Sequence, residues 1–357
     1  MRTDRFKSVC TVASRLLAMA VAMSCLACGK VQTGRDVEIW RFAIEEARGS
    51  VQDAYAQRFR RLVEQRTKGA VRVVVYPYGA LGTSDHILEQ LHSGTLDFAM
   101  ASPGHLGKLI PEVQAFLLHF VLSDDERVNR CALSEPKLRS TLDALYAEKG
   151  LRFLSVFSEG WMVWTTQKPV RRPEDFDGMK FRVMTSPLLI AAYQAYGAHP
   201  TPLSYGEVYS ALQLHMIDGQ VNPIFAIQEM SFYEVTDWLV FPQHAPFVTT
   251  VAASPELFSE LGEDRRRMLR DIIGELDVYI DGVQRRFNEE RLEVIRKKKP
   301  SINVLHLQER ERKRFRAAAR PVFETYVELA GPRGKDLLTT LEAAVKRART
   351  RCRGMEG

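Results

Sequence analysis

The chain has 357 residues, of which 45% are hydrophobic and 26% are charged, so it can bury a full core and is long enough for two domains. This composition excludes a chain that is disordered along most of its length. The net charge is +6, but the basic residues are dispersed rather than set in an aromatic-studded patch, which argues against a nucleic-acid partner.

The N-terminal segment has the layout of an export signal. Basic residues precede the apolar run LLAMAVAMSCL, which is too short to span a bilayer permanently, since spanning takes about 20 residues. The following SCLACGK resembles the lipobox of bacterial lipoproteins, with Cys28 as the lipidated residue and Cys25 as the alternative. We therefore predict a signal over residues 1–28 and a periplasmic protein anchored to the membrane by lipid. A plain cleaved signal or an uncleaved N-terminal anchor is the other interpretation.

Strand and helix alternate in a first unit, predicted over residues 38–158. VEIWRFAIE has apolar residues at period two, VQDAYAQRFRRLVEQRTKG has helical periodicity, and AVRVVVYPYGALG is a β-branched strand. The helical TSDHILEQLHSG and the short buried strand in TLDFAMASPGHL complete a βαβαβ succession. This order predicts an α/β lobe with a largely parallel sheet.

A second α/β unit is predicted over residues 159–247, where strands and helices alternate again. DWLVFPQHAPFVTTVAASPELF has the pattern of a return crossing, so we assign a segment at about 248–287 to the first lobe. From Glu260 onward the chain is mainly helical and highly charged, with a helical tail predicted over residues 288–357. The long charged helix bridges the two lobes, covers them, or is a plain surface helix.

The stretch LSYGEVYSALQLHMIDGQVNP predicts a capped helix that leads into a turn. Ser204 and Glu207 form an S-x-x-E capping box, and the apolar positions that follow recur at helical spacing. Gly219 is predicted to end the helix in the left-handed conformation. Because Pro223 disfavours a helical residue before it, we expect Asn222 at the lip of an extended segment, with its amide free to donate and accept hydrogen bonds.

Cys131 and Cys352 are the cysteines in the body of the chain beyond the export signal. Neither has metal-ligand spacing, and the eight histidines show no zinc pattern. We therefore expect no disulfide framework, no metal and no cofactor. The sequence also lacks the G-x-S-x-G, Walker, G-x-G-x-x-G and H-E-x-x-H motifs, so nothing positive supports an enzyme.

The segment KPVRRPEDFDGMKFRVMTSPLLIAAYQAYGAHPTPLSYGEVYSALQLHMIDGQVNP closely resembles the signature region of the TRAP transporter solute-binding proteins. These are the DctP-like extracytoplasmic receptors of tripartite ATP-independent periplasmic transporters. YPYGALG, LHSGTLDFAMAS and the helical tail are also similar to that family's pattern. The resemblance implies a two-lobed periplasmic-binding-protein-like fold of type II, with two α/β domains joined by hinge strands and a long helix. It further implies capture of a solute by lobe closure, without catalysis.

The resemblance assigns ligand-binding roles to residues of both lobes. Arg182 matches the family's arginine that pairs with the carboxylate of the solute, for which a planar guanidinium offers bidentate hydrogen bonds. Asn222 matches the family's ligand-contacting asparagine, although Val221 replaces the usual glutamate before it. Tyr205 corresponds to an aromatic position that lines the cleft. Ser102 and the FAIEEARGS loop would contribute from the first lobe.

The main departure from the family pattern lies in SEGWMVW. Many members have Gly-x-Arg here, whereas in this chain Met162 replaces the arginine and Trp161 adds apolar surface. Further aromatic residues lie nearby in sequence: Phe157, Trp164 and Phe225. Because a second cation is missing, we predict a hydrophobic or bulky monocarboxylate rather than a small dicarboxylate. Packing at the edge of a lobe explains the tryptophans equally well.

The resemblance also implies the partners of the chain. A small organic acid would be captured and delivered to the membrane subunits of a TRAP permease. A tetratricopeptide-repeat periplasmic protein is the further partner of a subset of the family. The alternatives are a receptor for another importer, a ligand sensor, or an enzyme on a bilobed fold, because fold alone does not decide function.

Overall fold

The computed structural model describes residues 37–353, which form two β-sheets flanked by helices. Within that range the strands, β1 to β11 in chain order, are Glu38–Ala43, Val71–Tyr76, Phe98–Ala101, Arg152–Trp161, Val163–Thr166, Lys180–Val183, His199–Pro202, Gly219–Asn222, Trp238–Phe241, Pro246–Ala253 and Asn303–His306. The α-helices, α1 to α12, are Val51–Arg66, Ser84–His92, Pro103–Leu106, Glu126–Leu133, Pro136–Ala147, Pro187–Gln194, Val208–Gln213, Ile224–Glu229, Pro255–Glu260, Glu263–Lys298, Glu309–Ala319 and Val322–Arg353. Short 3-10 helices lie at Pro111–Leu117, Pro173–Phe176, Tyr205–Glu207 and Phe232–Val235.

Each sheet forms the centre of one lobe. The first sheet has the strand order β2-β1-β3-β10-β4, and the second has the order β11-β9-β5-β8-β6-β7. In the first sheet β1 and β3 are parallel, whereas β10 runs antiparallel to β3 and β4. In the second sheet β5 runs antiparallel to β8 and β9, while β6 pairs in parallel with β7 and β8. The first sheet, predicted to be largely parallel, is therefore mixed.

The chain crosses between the lobes at two adjacent places. β4 of the first sheet ends at Trp161 and β5 of the second begins at Val163, with Met162 between them. The second crossing, between β9 and β10, spans Pro242 to Ala245. The backbone N–H of Met162 donates to the carbonyl of Ala245 at 3.0 Å, so the two crossings are hydrogen-bonded to each other. They form the hinge of a two-lobed fold of type II.

The long helix α10 bridges the lobes, which resolves the alternatives left open by its sequence. Leu269, Ile272 and Leu276 pack in a core cluster of the first lobe, together with residues of β1 and α1. Towards the other end, Ile295 packs in a core cluster of the second lobe. Between these ends, Asn288 donates to the carbonyl of Glu159 at 2.8 Å.

The charge pattern of α10 suits its direction. Glu263 and Asp264 lie in the first turn, and Arg296, Lys297 and Lys298 lie in the last turn. Acidic groups near the N-terminus and basic groups near the C-terminus complement the helix macrodipole. The densest basic run of the sequence therefore has a local structural explanation.

Cys131 and Cys352 form a disulfide, which corrects the expectation that the body of the chain contains none. Cys131 lies in α4 and Cys352 lies near the end of α12, 221 residues away. The helix α12 bends at Gly331, whose φ is 66°, and at Pro332, and its final turns then lie against α4. Spacing in the sequence could not show this pairing, because only the folded tail brings the two helices together.

The capping box at Ser204 and Glu207 is confirmed, but the helix that follows is shorter than its sequence pattern indicates. The helix ends at Gln213, and His215, rather than a glycine, takes the left-handed φ of 53°. Gly219 instead begins β8, where an added Cβ would lie 2.7 Å from the carbonyl oxygen of Thr165. The glycine is therefore required by the close approach of two strands, not by a helix end.

Two further points concern the ends of the chain. The tail, predicted to be entirely helical, also contains β11, which pairs in parallel with β9 at the edge of the second sheet. Between residues 37 and 353, every helix is too short or too polar to cross a bilayer. The predicted export signal, with Cys25 and Cys28, lies outside the described residues.

Candidate functional site

A cleft between the two sheets has an empty volume of about 530 Å³ when its open mouth is counted. A cleft of this size has room for a small solute. The residues that line it come from both lobes: Glu45, Glu46, Gln52, Ser84, Ser102, His105, Met162, Arg182, Met184, Leu189, Tyr205, Val221, Asn222 and Phe247.

The structure brings most of the predicted site residues to this cleft. Those that line it are Ser102, Met162, Arg182, Tyr205 and Asn222. Trp161 does not line it and instead borders a separate groove beside α10. Since neighbouring side chains of an extended chain point to opposite sides, Met162 and Trp161 cannot both face the cleft. The other aromatic residues singled out nearby are buried in the lobe cores: Phe157, Trp164 and Phe225.

Arg182 lies on β6 and is only 2% exposed. Its Nε and Nη2 both donate to the carbonyl of Leu203, at 3.0 and 2.8 Å, which fixes the plane of the guanidinium. Among the described residues no carboxylate lies within ion-pair distance of Arg182. Burial lowers the pKa of Arg182 to about 10, so the group stays charged at neutral pH. A buried, oriented and unpaired guanidinium suits a bound carboxylate.

Asn222 ends β8, and the orientation of its side-chain amide is fixed by neighbours. Its Nδ2 donates to Oε1 of Gln220, and Nε2 of Gln220 donates to Oγ1 of Thr165 at 3.0 Å. Gln220 and Asn222 are two residues apart on a strand, so their side chains share one face of the sheet. This chain of hydrogen bonds leaves Oδ1 of Asn222 as an acceptor at the cleft.

Tyr205 lines the cleft, and Tyr78 packs against it. The ring of Tyr205 lies edge-on to the ring of Tyr78, with centroids 5.5 Å apart. The Tyr205 hydroxyl is buried and has no hydrogen-bond partner among the described residues. Burial raises the pKa of Tyr205, so this hydroxyl stays protonated and is available as a donor. Tyr78 lies in the first lobe. It was not identified as a site residue from the sequence, although it belongs to YPYGALG, a segment that resembles the family pattern.

Carboxyl groups of the first lobe face the same cleft as Arg182. Oε2 of Glu45 accepts from the backbone N–H of Ser102 at 2.7 Å, so Ser102 contributes its backbone here. Glu46 accepts from the backbone N–H of Gln52 at 3.3 Å. Burial raises the pKa of both glutamates, and that of Glu46 stands well above its usual range. The signal that could have found them is the acidic pair directly after β1, in the FAIEEARGS loop.

Within the described part of the chain, no three His, Cys, Asp or Glu side chains are grouped to hold a metal ion. The cleft instead offers one buried cation, two buried carboxyls, an amide and apolar surface from Met162 and Phe247. This set of groups can bind both a negative and a positive group of one small molecule.

Comparison with known proteins agrees with this picture. Residues 42–329 match the family model described as "Bacterial extracellular solute-binding protein, family 7", DctP. The chain is 38% identical to the ectoine-binding periplasmic protein TeaA of Halomonas elongata, over 88% of this chain and 92% of that protein. It is 36% identical to the ectoine/5-hydroxyectoine-binding periplasmic protein UehA of Ruegeria pomeroyi, over 91% and 95%.

Solved structures show the same fold. The TeaA structure superposes with a TM-score of 0.84 and covers 87% of this chain and 100% of its own. A TRAP periplasmic solute-binding protein from Marinobacter aquaeolei, in an open form without ligand, is 40% identical with a TM-score of 0.80, over 85% and 99%. These relatives are named as binding proteins. The chain therefore belongs to family 7 of the bacterial extracellular solute-binding proteins and is a solute receptor of the TRAP transporter type.

Proposed function

We propose that this receptor captures a compact monocarboxylate that also carries a positive charge, of the ectoine kind. The observation that carries the proposal is the placement of Arg182 and the carboxyls of Glu45 and Glu46 around one small cleft. The names of TeaA and UehA, the relatives cited above, support the same solute class. The proposal keeps the monocarboxylate expected from the sequence, but it replaces the hydrophobic or bulky body by a compact one that carries a cationic group.

The carboxylate of the solute would bind Arg182. The guanidinium already has its plane fixed by Leu203 and has no carboxylate partner among the described residues, so little reorganisation is needed. Asn222 would add a polar contact to the same solute from β8. Met162, where many family members have an arginine, leaves one cation at this end of the cleft, which suits one carboxylate rather than two.

The positive group of the solute would lie against the first lobe. Glu46 is the closest match, because its carboxyl borders the cleft and has no ion-pair partner among the described residues. The rings of Tyr205 and Phe247, which line the cleft, offer cation–π and apolar contacts to a small ring. A solute that joins both lobes in this way favours closure, because its contacts exist together only when the lobes meet.

The location and the partners are proposed from the family and the N-terminal sequence. The receptor would be exported to the periplasm, anchored through a lipid on Cys28 or Cys25, and would deliver its solute to the membrane subunits of a TRAP permease. A tetratricopeptide-repeat periplasmic protein remains a predicted further partner. Carboxylate binding and lipidation are both open to direct measurement on the exported protein.

The test is calorimetric titration of the mature protein with ectoine and with three matched probes. Acetate offers a carboxylate alone, tetramethylammonium offers a cation alone, and succinate offers two carboxylates. We expect ectoine to bind and the three probes to bind at least 100-fold more weakly, because each lacks a group that the cleft pairs. Succinate binding as tightly as ectoine, or no ectoine binding by a folded protein, would overturn the proposed solute class.

A further inference from the structure

Gln52 donates hydrogen bonds to two carboxyls, that of Glu46 and that of Glu159. Glu159, in β4, is fully buried and does not line the cleft. The Nε2 of Gln52 donates to Oε1 of Glu159 at 3.0 Å, and the backbone N–H of Gln52 donates to Oε2 of Glu46 at 3.3 Å. The side-chain Oε1 of Gln52 accepts from the backbone N–H of Glu45 at 2.8 Å, so the side-chain amide cannot flip without losing a bond.

No cation neutralises this pair in the described part of the chain. Neither Glu46 nor Glu159 has a lysine, arginine or histidine within ion-pair distance, and Oε2 of Glu159 is buried without a hydrogen-bond partner. Two adjacent carboxylates without a counter-ion cannot both be ionised in a buried site, because desolvation and repulsion both oppose the second charge. A proton held by the pair removes this conflict.

Other titratable groups around the pair do not supply the missing positive charge. From α8, Glu229 adds negative potential to both carboxyls, and both of its own oxygens are buried without partners. From the loop after β1, Glu45 acts on Glu159 in the same sense. Three basic side chains in this region lie nearer to other groups: Arg182 to Tyr205, Arg291 to Glu229 and His105 to Glu45.

We propose that Glu46 and Glu159 together hold a proton in the empty cleft, and that a cationic solute group binding to Glu46 drives that proton into the solvent. The positive charge of the solute then takes the place of the proton, and Glu159, which shares that proton with Glu46 in the empty cleft, is a positioning residue that sets the response to pH. This inference rests on the proposed function, because it requires a solute with a positive charge. It gives the receptor an affinity that rises with pH for cationic solutes.

The direction of the pKa shifts agrees with this geometry. Burial, followed by the neighbouring Glu159, raises the pKa of Glu46 well above its usual range. Burial raises the pKa of Glu159 to about 8. The empty pair is therefore protonated at neutral pH, and a bound cation favours the ionised form of Glu46. One released proton per bound solute makes the association constant rise by up to about tenfold per pH unit below the pKa of the empty pair.

The first test is titration with ectoine between about pH 6 and about pH 8, in two buffers that differ in ionisation enthalpy. The wild-type protein should release up to about one proton per ectoine and bind more tightly as pH rises. Glu159→Gln keeps a hydrogen-bond donor beside Glu46 but removes the shared proton, so its affinity should lose most of this pH dependence. Glu89→Gln, at an exposed position of α2, is the matched control and should behave as wild type.

The second test needs no solute and separates this inference from the proposed solute class. Infrared spectra of the ligand-free protein at neutral pH should contain a carbonyl band of a buried protonated carboxyl, which Glu159→Gln weakens and Glu89→Gln leaves unchanged. If ectoine does not bind but the band is present, the solute class fails and the proton-holding pair stands. If the band is absent, or ectoine binds without proton release and with equal affinity across the range, the pair does not hold a proton and the inference is wrong.

Discussion

The hydroxyl of Tyr78, in the first lobe, accepts a hydrogen bond of 3.1 Å from the backbone N–H of Gly206, in the second lobe. A Cβ added at Gly206 would lie 3.4 Å from the Tyr78 ring, so these two segments of the chain meet closely at this point. This bond joins the two lobes beside Tyr205, which lines the cleft.

Tyr78→Phe should weaken solute binding by removing that bond while keeping the ring. One neutral hydrogen bond contributes about 1 kcal/mol, so we expect a rise in Kd of about fivefold, with a faster dissociation rate. Calorimetry and stopped-flow kinetics would measure both. Tyr279→Phe, on the long helix, is the control for a tyrosine outside the cleft. Unchanged affinity in Tyr78→Phe would mean that the bond does not contribute to closure.

Arg182→Gln should reduce affinity for the solute more than any other single change in the cleft. Loss of one partner of a buried, charge-assisted pair costs about 2 to 5 kcal/mol, so we expect at least a 30-fold rise in Kd. Arg182→Lys keeps the charge but loses the planar guanidinium, so its Kd should lie between those of the wild type and Arg182→Gln. Arg286→Gln, on an exposed face of α10, controls for net charge. Equal binding by Arg182→Gln and wild type would remove Arg182 from the site.

Removing the disulfide should lower stability without changing the cleft. The bond closes a loop of 221 residues, for which loss of chain entropy in the unfolded state predicts a stabilisation of roughly 5 kcal/mol at most. Thermal unfolding of the Cys131→Ser, Cys352→Ser double variant should therefore begin at a lower temperature than that of the oxidised wild type. Reductant should lower the unfolding temperature of the wild type but not that of the double variant. At temperatures below unfolding, both proteins should bind ectoine with the same affinity. A wild-type transition that reductant does not move would contradict this.

Adding one methyl group at Gly219 should lower the stability of the second lobe. Gly219→Ala should destabilise the second lobe by roughly 1 to 3 kcal/mol, because the new Cβ meets the Thr165 carbonyl and neither strand can move freely. Gly282→Ala, at an exposed position of the long helix with open space around it, should instead stabilise by about 0.5 to 1 kcal/mol. Denaturant unfolding measures both, and a neutral Gly219→Ala would show that the sheet can relax.

Acid should destabilise the fold through a buried histidine pair near the hinge. His119 accepts or donates a bond of 2.7 Å with the Tyr196 hydroxyl, and its ring lies 4.4 Å from that of His244. Burial lowers the pKa of His119 to about 3 and that of His244 well below its usual range. A histidine of the unfolded chain titrates near pH 6.5, so below that pH the unfolded state binds more protons and stability falls.

The change with pH is measured most cleanly as a difference between two proteins. His119→Gln removes one titrating group, so the gap in unfolding free energy between wild type and variant should shrink by up to about 1.4 kcal/mol per pH unit from about pH 6.5 down to pH 3. The carboxyl pairs near the cleft contribute equally to both proteins and cancel. A gap that stays constant with pH would show that His119 is not held neutral.

Most of the secondary structure could be predicted from the sequence, because it depends on local residue patterns. The βαβαβ start, the capping box at Ser204 and the extended Asn222 all depend on residues close together in the chain. The disulfide between Cys131 and Cys352 and the short strand β11 depend on how the tail packs, which no local pattern encodes. Gly219 was assigned to a helix end because glycine serves both left-handed turns and close strand contacts, and sequence does not distinguish these uses.

The site was predicted unevenly for the same reason. Arg182 and Asn222 lie in one continuous family-like segment, so the resemblance identified them together. Glu46 and Glu159 are far apart in the chain, and only the packing of α1 against β4 through Gln52 brings their carboxyls together. Trp161 and Met162 are neighbours, and which of them faces the cleft depends on the direction of the strand rather than on composition.

Met162 lies both at the hinge and in the cleft wall. In a rotation of one rigid body against another, atoms near the axis travel least, so the Met162 side chain keeps nearly the same distance to a solute whether the receptor is open or shut. Its contact then stabilises both forms alike and sets how tightly a solute is held overall. Tyr78 differs, because its bond to Gly206 of the other lobe exists only while the lobes meet and therefore favours the shut form alone.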